Sequence, residues 1–217
     1  MVGGIAPPSL GKPRLRGVSH QYAFFFAVAL GVGLVLLAEG ARARVGASVY
    51  AAGICGLFGI SALYHRGAWS PAAARRMRRA DHSMIFCFIG ASYTPFALLV
   101  LDGRLATAML VVVWVGVVAG IALKLAWLDA PDWLGATIYV VLGWTALAAA
   151  PALYSALGPI RTSLLALGGA LYTLGAVVYA RQRPDPSPAV FGYHELFHVL
   201  VIAAAAAHFV VVADVVA

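Results

Sequence analysis

The chain has 217 residues, of which 63% are hydrophobic and 11% charged, with a net charge of +7. That much apolar surface cannot be hidden inside a soluble domain of this length, so the composition excludes a water-soluble protein and predicts a polytopic membrane protein. The positive excess is distributed as membrane topology demands and is no evidence for a nucleic-acid partner.

A helix needs about 20 apolar residues to cross the hydrocarbon core. Runs of that kind recur at Gln21–Ala38, Val45–Tyr64, Ser83–Leu101, Leu105–Leu123, Trp133–Tyr154, Thr162–Ala180 and Leu196–Ala213. They predict an all-α fold of seven transmembrane helices over residues 21–217, preceded by a short cytoplasmic tail over residues 1–20. The runs are apolar all round and too long for the alternating strands of a β-barrel. The first run lacks a small-residue cleavage site ahead of a soluble domain, so it is expected to be a retained span and not a signal peptide. The first dozen or so residues, with Gly3, Gly4, Pro7, Pro8 and Pro13, read as a disordered tail. Cys55 and Cys87 fall inside spans without metal or redox spacing and read as small packing residues.

Charge sets the orientation. With the N-terminus inside, the inward segments carry Lys12, Arg14, Arg16, Arg66, Arg75, Arg76, Arg78, Arg79, Lys124, Arg181 and Arg183. The outward loops carry only Arg42, Arg44, Arg104 and Arg161. This bias places the N-terminus in the cytoplasm and the C-terminus outside. Residues Arg66–Arg79 are expected as a basic cytoplasmic loop, available to anionic lipid headgroups. Pro95 is expected to kink the third span, and the proline-rich stretch 183–188 to form the last cytoplasmic loop.

The polar residues inside these runs are few, and an ionisable group in a bilayer is costly enough to mark a functional site. The second span ends in Ser61 and His65, one helical turn apart on the same face. Asp81 opens the third span. The seventh starts with His194 and His198, again one turn apart. All five sit at the cytoplasmic ends of their helices, so their depths agree. Three histidines with a neighbouring carboxylate suit zinc, which with three protein nitrogens keeps a position open for water and makes it a nucleophile near neutral pH. Of the other histidines, His20 reads as interfacial and His82 as a helix-start residue. His208 lies about 15 Å deeper than His198, outside the same metal sphere.

Ser61-x3-His65, Asp81-His82, the segment Gly90–Pro95 and the run Phe191–His198 together resemble the hemolysin III family, the bacterial branch of the progestin and adipoQ receptor family. The resemblance covers nearly the whole chain. It implies seven spans with the N-terminus inside, zinc bound by His65, His194 and His198, the water at the metal held by Asp81, and Ser61 close to the site. The wider superfamily includes alkaline ceramidases and is regarded as one of membrane-embedded zinc hydrolases.

Alternatives stand at several positions. Asp81 is read as holding water, against direct metal ligation or pairing with the nearby arginines. Ser61 either polarises a substrate carbonyl or bonds a helix carbonyl. His194-Glu195-x-x-His198 matches the zincin pattern, and Asp102 in Leu101-Asp102-Gly103 resembles an intramembrane-protease motif. Asp102 falls a membrane thickness away, however, and Glu195 reads as a rim or loop-pairing residue. The sequence therefore predicts a zinc-dependent hydrolase of lipid amides or esters in the bacterial cytoplasmic membrane, with membrane lipids as partners. The competing reading is a non-enzymatic receptor or membrane-homeostasis protein with structural zinc, and a pore is disfavoured for want of a polar stripe.

Overall fold

The computed structural model describes residues 12–217, so most of the expected disordered tail lies outside the described residues. The elements are α1 (Val18–Leu37), α2 (Gly40–Arg66), α3 (Pro71–Leu99), α4 (Gly103–Ala126), α5 (Asp132–Gly143), a 3-10 stretch at Trp144–Ala149, α6 (Ala150–Arg181) and α7 (Tyr193–Val216). Among the described residues, six helical stretches are long and apolar enough to cross a membrane. One of these, Asp132–Arg181, is far longer than a single crossing requires. It breaks at Gly158, whose φ of 73° is open to glycine and strained for other residues. Beyond the break the chain doubles back, because the hydroxyl of Tyr179 comes within 3.4 Å of Asp132 Oδ1.

Sequence neighbours pack as neighbours, and α7 closes the assembly by packing against α1, α2, α3 and α6. Lipid tails are as apolar as leucine, so close packing and polar contacts must hold such helices together. Small residues permit it: a Cβ at Gly53 of α2 would collide with Ala91 of α3, and one at Gly120 of α4 with the ring of Phe86. Polar contacts add to it, with the indole of Trp114 donating to Thr94 Oγ1 at 3.2 Å. Large apolar side chains such as Phe25, Phe26 and Val118 face outward, as expected where the surroundings are lipid.

The expected basic loop 66–79 is mostly helix. Ser70 accepts a hydrogen bond from the Ala73 amide at 3.4 Å, Pro71 occupies the first turn, and α3 runs on from there. Ser70-Pro71 is a helix-start signal in its own right. Asp81 therefore lies about three turns inside α3 and does not open it. The helix continues through Pro95 to Leu99.

Candidate metal centre

In α2 the buried residues Ala43, Ala47, Tyr50, Ile54, Leu57, Ser61 and His65 recur every three or four positions. They form one inward stripe, and Ser61 and His65 are its polar end. The first turns of α7 bring His194 and His198 to the same place. His65, His194 and His198 each offer one ring nitrogen, and these three atoms lie within 4.8 Å of one another. His65 Nε2 and His194 Nε2 are 3.2 Å apart. Two imidazoles bound at 2.0–2.1 Å to a tetrahedral ion would hold their nitrogens about 3.3 Å apart. His198 is only 2% exposed, and its Nδ1 is buried without a hydrogen-bond partner among the described residues. The donor set thus fits a divalent ion of the zinc type: neutral nitrogen ligands, convergent and withdrawn from solvent.

Asp81 Oδ2 stands 3.9 Å from His65 Nε2, too far for a direct hydrogen bond and suited to a contact through one water. Its expected alternative partners are engaged elsewhere or apart: Arg78 binds Asp129 Oδ1 at 2.9 Å. The oxygen of Ser61 lies 2.8 Å from Nδ1 of His20.

His20 is a correction to the sequence reading. It is not interfacial but 3% exposed, and its ring stacks on that of His198 with centroids 3.7 Å apart and planes 9° from parallel. Its Nε2 is buried without a partner among the described residues. His20 Nδ1 and the Ser61 hydroxyl share one hydrogen bond, its donor set by the tautomer of His20. Ser61 also stands within hydrogen-bonding reach of the Asp81 carboxylate. A histidine three residues into the first helix, after Gly17, was the available signal. Gly17 itself is required by close approach: with φ at 77°, a Cβ there would stand 2.6 Å from Cβ of His65. That contact seats α1 against the end of α2.

Glu195 pairs structurally, in keeping with a loop-pairing residue. It is 1% exposed, forms an ion pair with Arg16, and accepts from the Gly192 amide at 2.8 Å, capping α7. Amides of Arg14 and Leu15 also donate to the carbonyls of Ala189 and Val190, so the segment before α1 is tied to the loop before α7. Asp102 lies at the N-terminus of α4, at the other end of α3 from the histidines.

His194, His198 and Asp81 line a cavity of about 150 Å³. Its walls include Leu57, Ile85, Phe88, Ile89, Phe197 and Val201, and they are mainly apolar. His82 lines it too, its carbonyl accepting from the Tyr139 hydroxyl at 3.1 Å. His208 lies deeper, with Nε2–H donating to the Leu165 carbonyl at 3.0 Å.

Comparison with known proteins places this arrangement. A family model described as "Haemolysin-III related" matches residues 9–209. The hemolysin-3 homolog of Bacillus subtilis is 35% identical over 129 residues, 59% of this chain and 58% of that protein, so the match spans under two thirds of that relative. Hemolysin-3 of Bacillus cereus is 29% identical over 169 residues, covering 78% and 74% of the two chains. The human monocyte to macrophage differentiation factor is 27% identical over 205 residues, covering 88% and 79%. Matched over nearly its whole length and built as a multi-span helical membrane protein, the chain belongs to the haemolysin-III-related family.

Proposed function

We propose that this protein is a zinc-dependent hydrolase of a lipid amide or ester, embedded in the bacterial cytoplasmic membrane. The observation that carries the reading is the convergence of three imidazoles beside a mainly apolar cavity. Zinc held there would supply a polarised water, nucleophilic near neutral pH. His65 from α2 and His194 and His198 from α7 hold the ion, and the stacking of His20 fixes the plane of His198. Asp81 would orient the water and accept its proton at Oδ2 during attack on the substrate carbonyl carbon. The Ser61 hydroxyl, held beside His20 and Asp81, would donate to the carbonyl oxygen as charge builds there. The C–N or C–O bond then breaks, and the proton on Asp81 passes to the departing amine or alcohol. The cavity walls hold the acyl chain and exclude bulk water.

The topology completes the proposal. The doubling back at Gly158 divides Asp132–Arg181 into two halves, each long enough to cross the hydrocarbon core. This supports seven crossings, and the arginine distribution favours a cytoplasmic N-terminus and metal centre.

The test is elemental mass spectrometry on detergent-purified protein, beside a His194→Ala, His198→Ala double variant, followed by a hydrolysis screen of lipid amides and esters. About one zinc per chain, lost in the double variant, with turnover of a lipid amide or ester is the expected result. A folded, metal-replete wild type without bound metal overturns the hydrolase and favours a receptor or membrane-homeostasis role.

A further inference from the structure

The buried residues of α4 are Met109, Val113, Val117, Gly120 and Lys124. They recur every three or four positions, so they form one inward stripe, and its last member is a lysine. Lys124 is 3% exposed and lines the cavity. Space has been left for its ammonium on α5: a Cβ at Gly135 would stand 2.9 Å from Lys124 Nζ. Among the described residues, Lys124 forms no ion pair within 4.0 Å. The carboxylate acting on it is that of Asp132, beyond 4.0 Å, and the other charged groups nearby are Arg78 and His82. Arg78 of α3 is bound by Asp129, and Asp132 of α5 receives the Tyr179 hydroxyl. His82 of α3 faces the same cavity. An ammonium drawn into a membrane protein with no carboxylate inside 4.0 Å is incompletely compensated, so an anion that reached it would be favoured.

We infer that Lys124 is an anion subsite, which receives the negatively charged phosphate or carboxylate head of a single-chain lipid whose tail fills the apolar part of the cavity. An ammonium is a point charge suited to either oxyanion. The mainly apolar walls select a lipid over a free ion, since an inorganic anion would leave that surface in contact with water. The subsite does not depend on the hydrolase reading, because a receptor would use it equally.

The test measures binding to the detergent-purified full chain by native mass spectrometry, with oleoyl lysophosphatidate, its neutral analogue monoolein, and inorganic phosphate as probes. The wild type is expected to bind lysophosphatidate at least about tenfold more tightly than monoolein, the scale of one hydrogen bond to a charged group. Lys124→Met removes that preference and leaves monoolein binding unchanged, and Asp132→Asn, which removes a competing carboxylate, widens it. Gly135→Ala displaces the ammonium and narrows the preference, so the subsite stays testable if Lys124→Met does not fold. Equal binding of the two lipids by the wild type overturns the inference, as does a preference that survives in Lys124→Met. Inorganic phosphate binding as tightly as lysophosphatidate replaces the lipid with a free anion and overturns the lipid class. Zinc measured on every preparation separates failure of this subsite from failure of the metal centre.

Discussion

The imidazole of His20 touches two site residues at once, with its face on His198 and its Nδ1 on Ser61. Groups that orient a metal ligand typically contribute 10–100-fold to metal affinity. Replacing His20 by Ala removes both contacts, and a loss of zinc affinity in that range is expected in competition with a chelator. His20→Phe keeps a stacking ring and should retain most of the affinity while losing turnover, since the Ser61 hydroxyl is no longer held. Unchanged zinc affinity in His20→Ala would remove His20 from the centre. Asp81 is expected to behave in the opposite way. At 3.9 Å from His65 Nε2 it stands back from the ligand nitrogens, so Asp81→Asn should keep about one zinc per chain and abolish hydrolysis. Full activity in that variant excludes Asp81 as the proton acceptor, and loss of zinc makes it a ligand.

At the scale of the helices, shape complementarity decides more than hydrophobicity, because lipid solvates an apolar face as well as a neighbouring helix does. Gly120 shows the consequence. A side chain there meets the ring of Phe86, which is fully buried and packs at 4.6 Å against Tyr139. Gly120→Val is therefore expected to destabilise by about 1–3 kcal/mol, as overpacking does, read as a lower unfolding midpoint in detergent. Tyr139 also holds the His82 carbonyl, so the disturbance should reach the cavity wall and weaken lipid binding; an unchanged midpoint would show that α3 and α4 are not in contact through this glycine. The elements were largely legible beforehand, since runs of about 20 apolar residues mark membrane helices by length alone. The basic segment before Asp81 was misread as a loop because its arginines carry no hydrophobic signal, although Ser70-Pro71 announced a helix start. His65, His194 and His198 were legible together because pairs one turn apart declare both depth and face. His20 and Lys124 were not, since a single polar residue at the end of an apolar helix gives its depth without the direction in which it points.

For the molecule as a whole, two long-range contacts constrain how the longest helical stretch lies in the membrane. Tyr179 meets Asp132 near the end of α6, and Arg161 Nη2, just past the break at Gly158, donates to Asp214 Oδ1 at 2.9 Å. Asp214 belongs to the last turn of α7, whose first turn carries His194, so Arg161 lies a helix length away from the metal centre. Asp132 lies on the centre's side, because Tyr179, which meets it, has its ring centroid 5.5 Å from that of His194. On the proposed seven-crossing topology the chain crosses from Asp132 to the break at Gly158 and crosses back before Arg181. Single cysteines introduced in a chain whose Cys55 and Cys87 are replaced by alanine read this directly with a membrane-impermeant thiol reagent. Asp129→Cys and Ser187→Cys are expected to react only from the cytoplasmic side, and Arg161→Cys only from outside. Labelling of all three from one face would reduce the count to five crossings and leave the segment between them lying against the membrane. Opposite faces for positions 129 and 187 would mean a single crossing, which the Tyr179–Asp132 contact forbids. Reversal of all three faces would keep seven crossings but place the metal centre outside, and the substrate would then have to be a lipid of the outer leaflet.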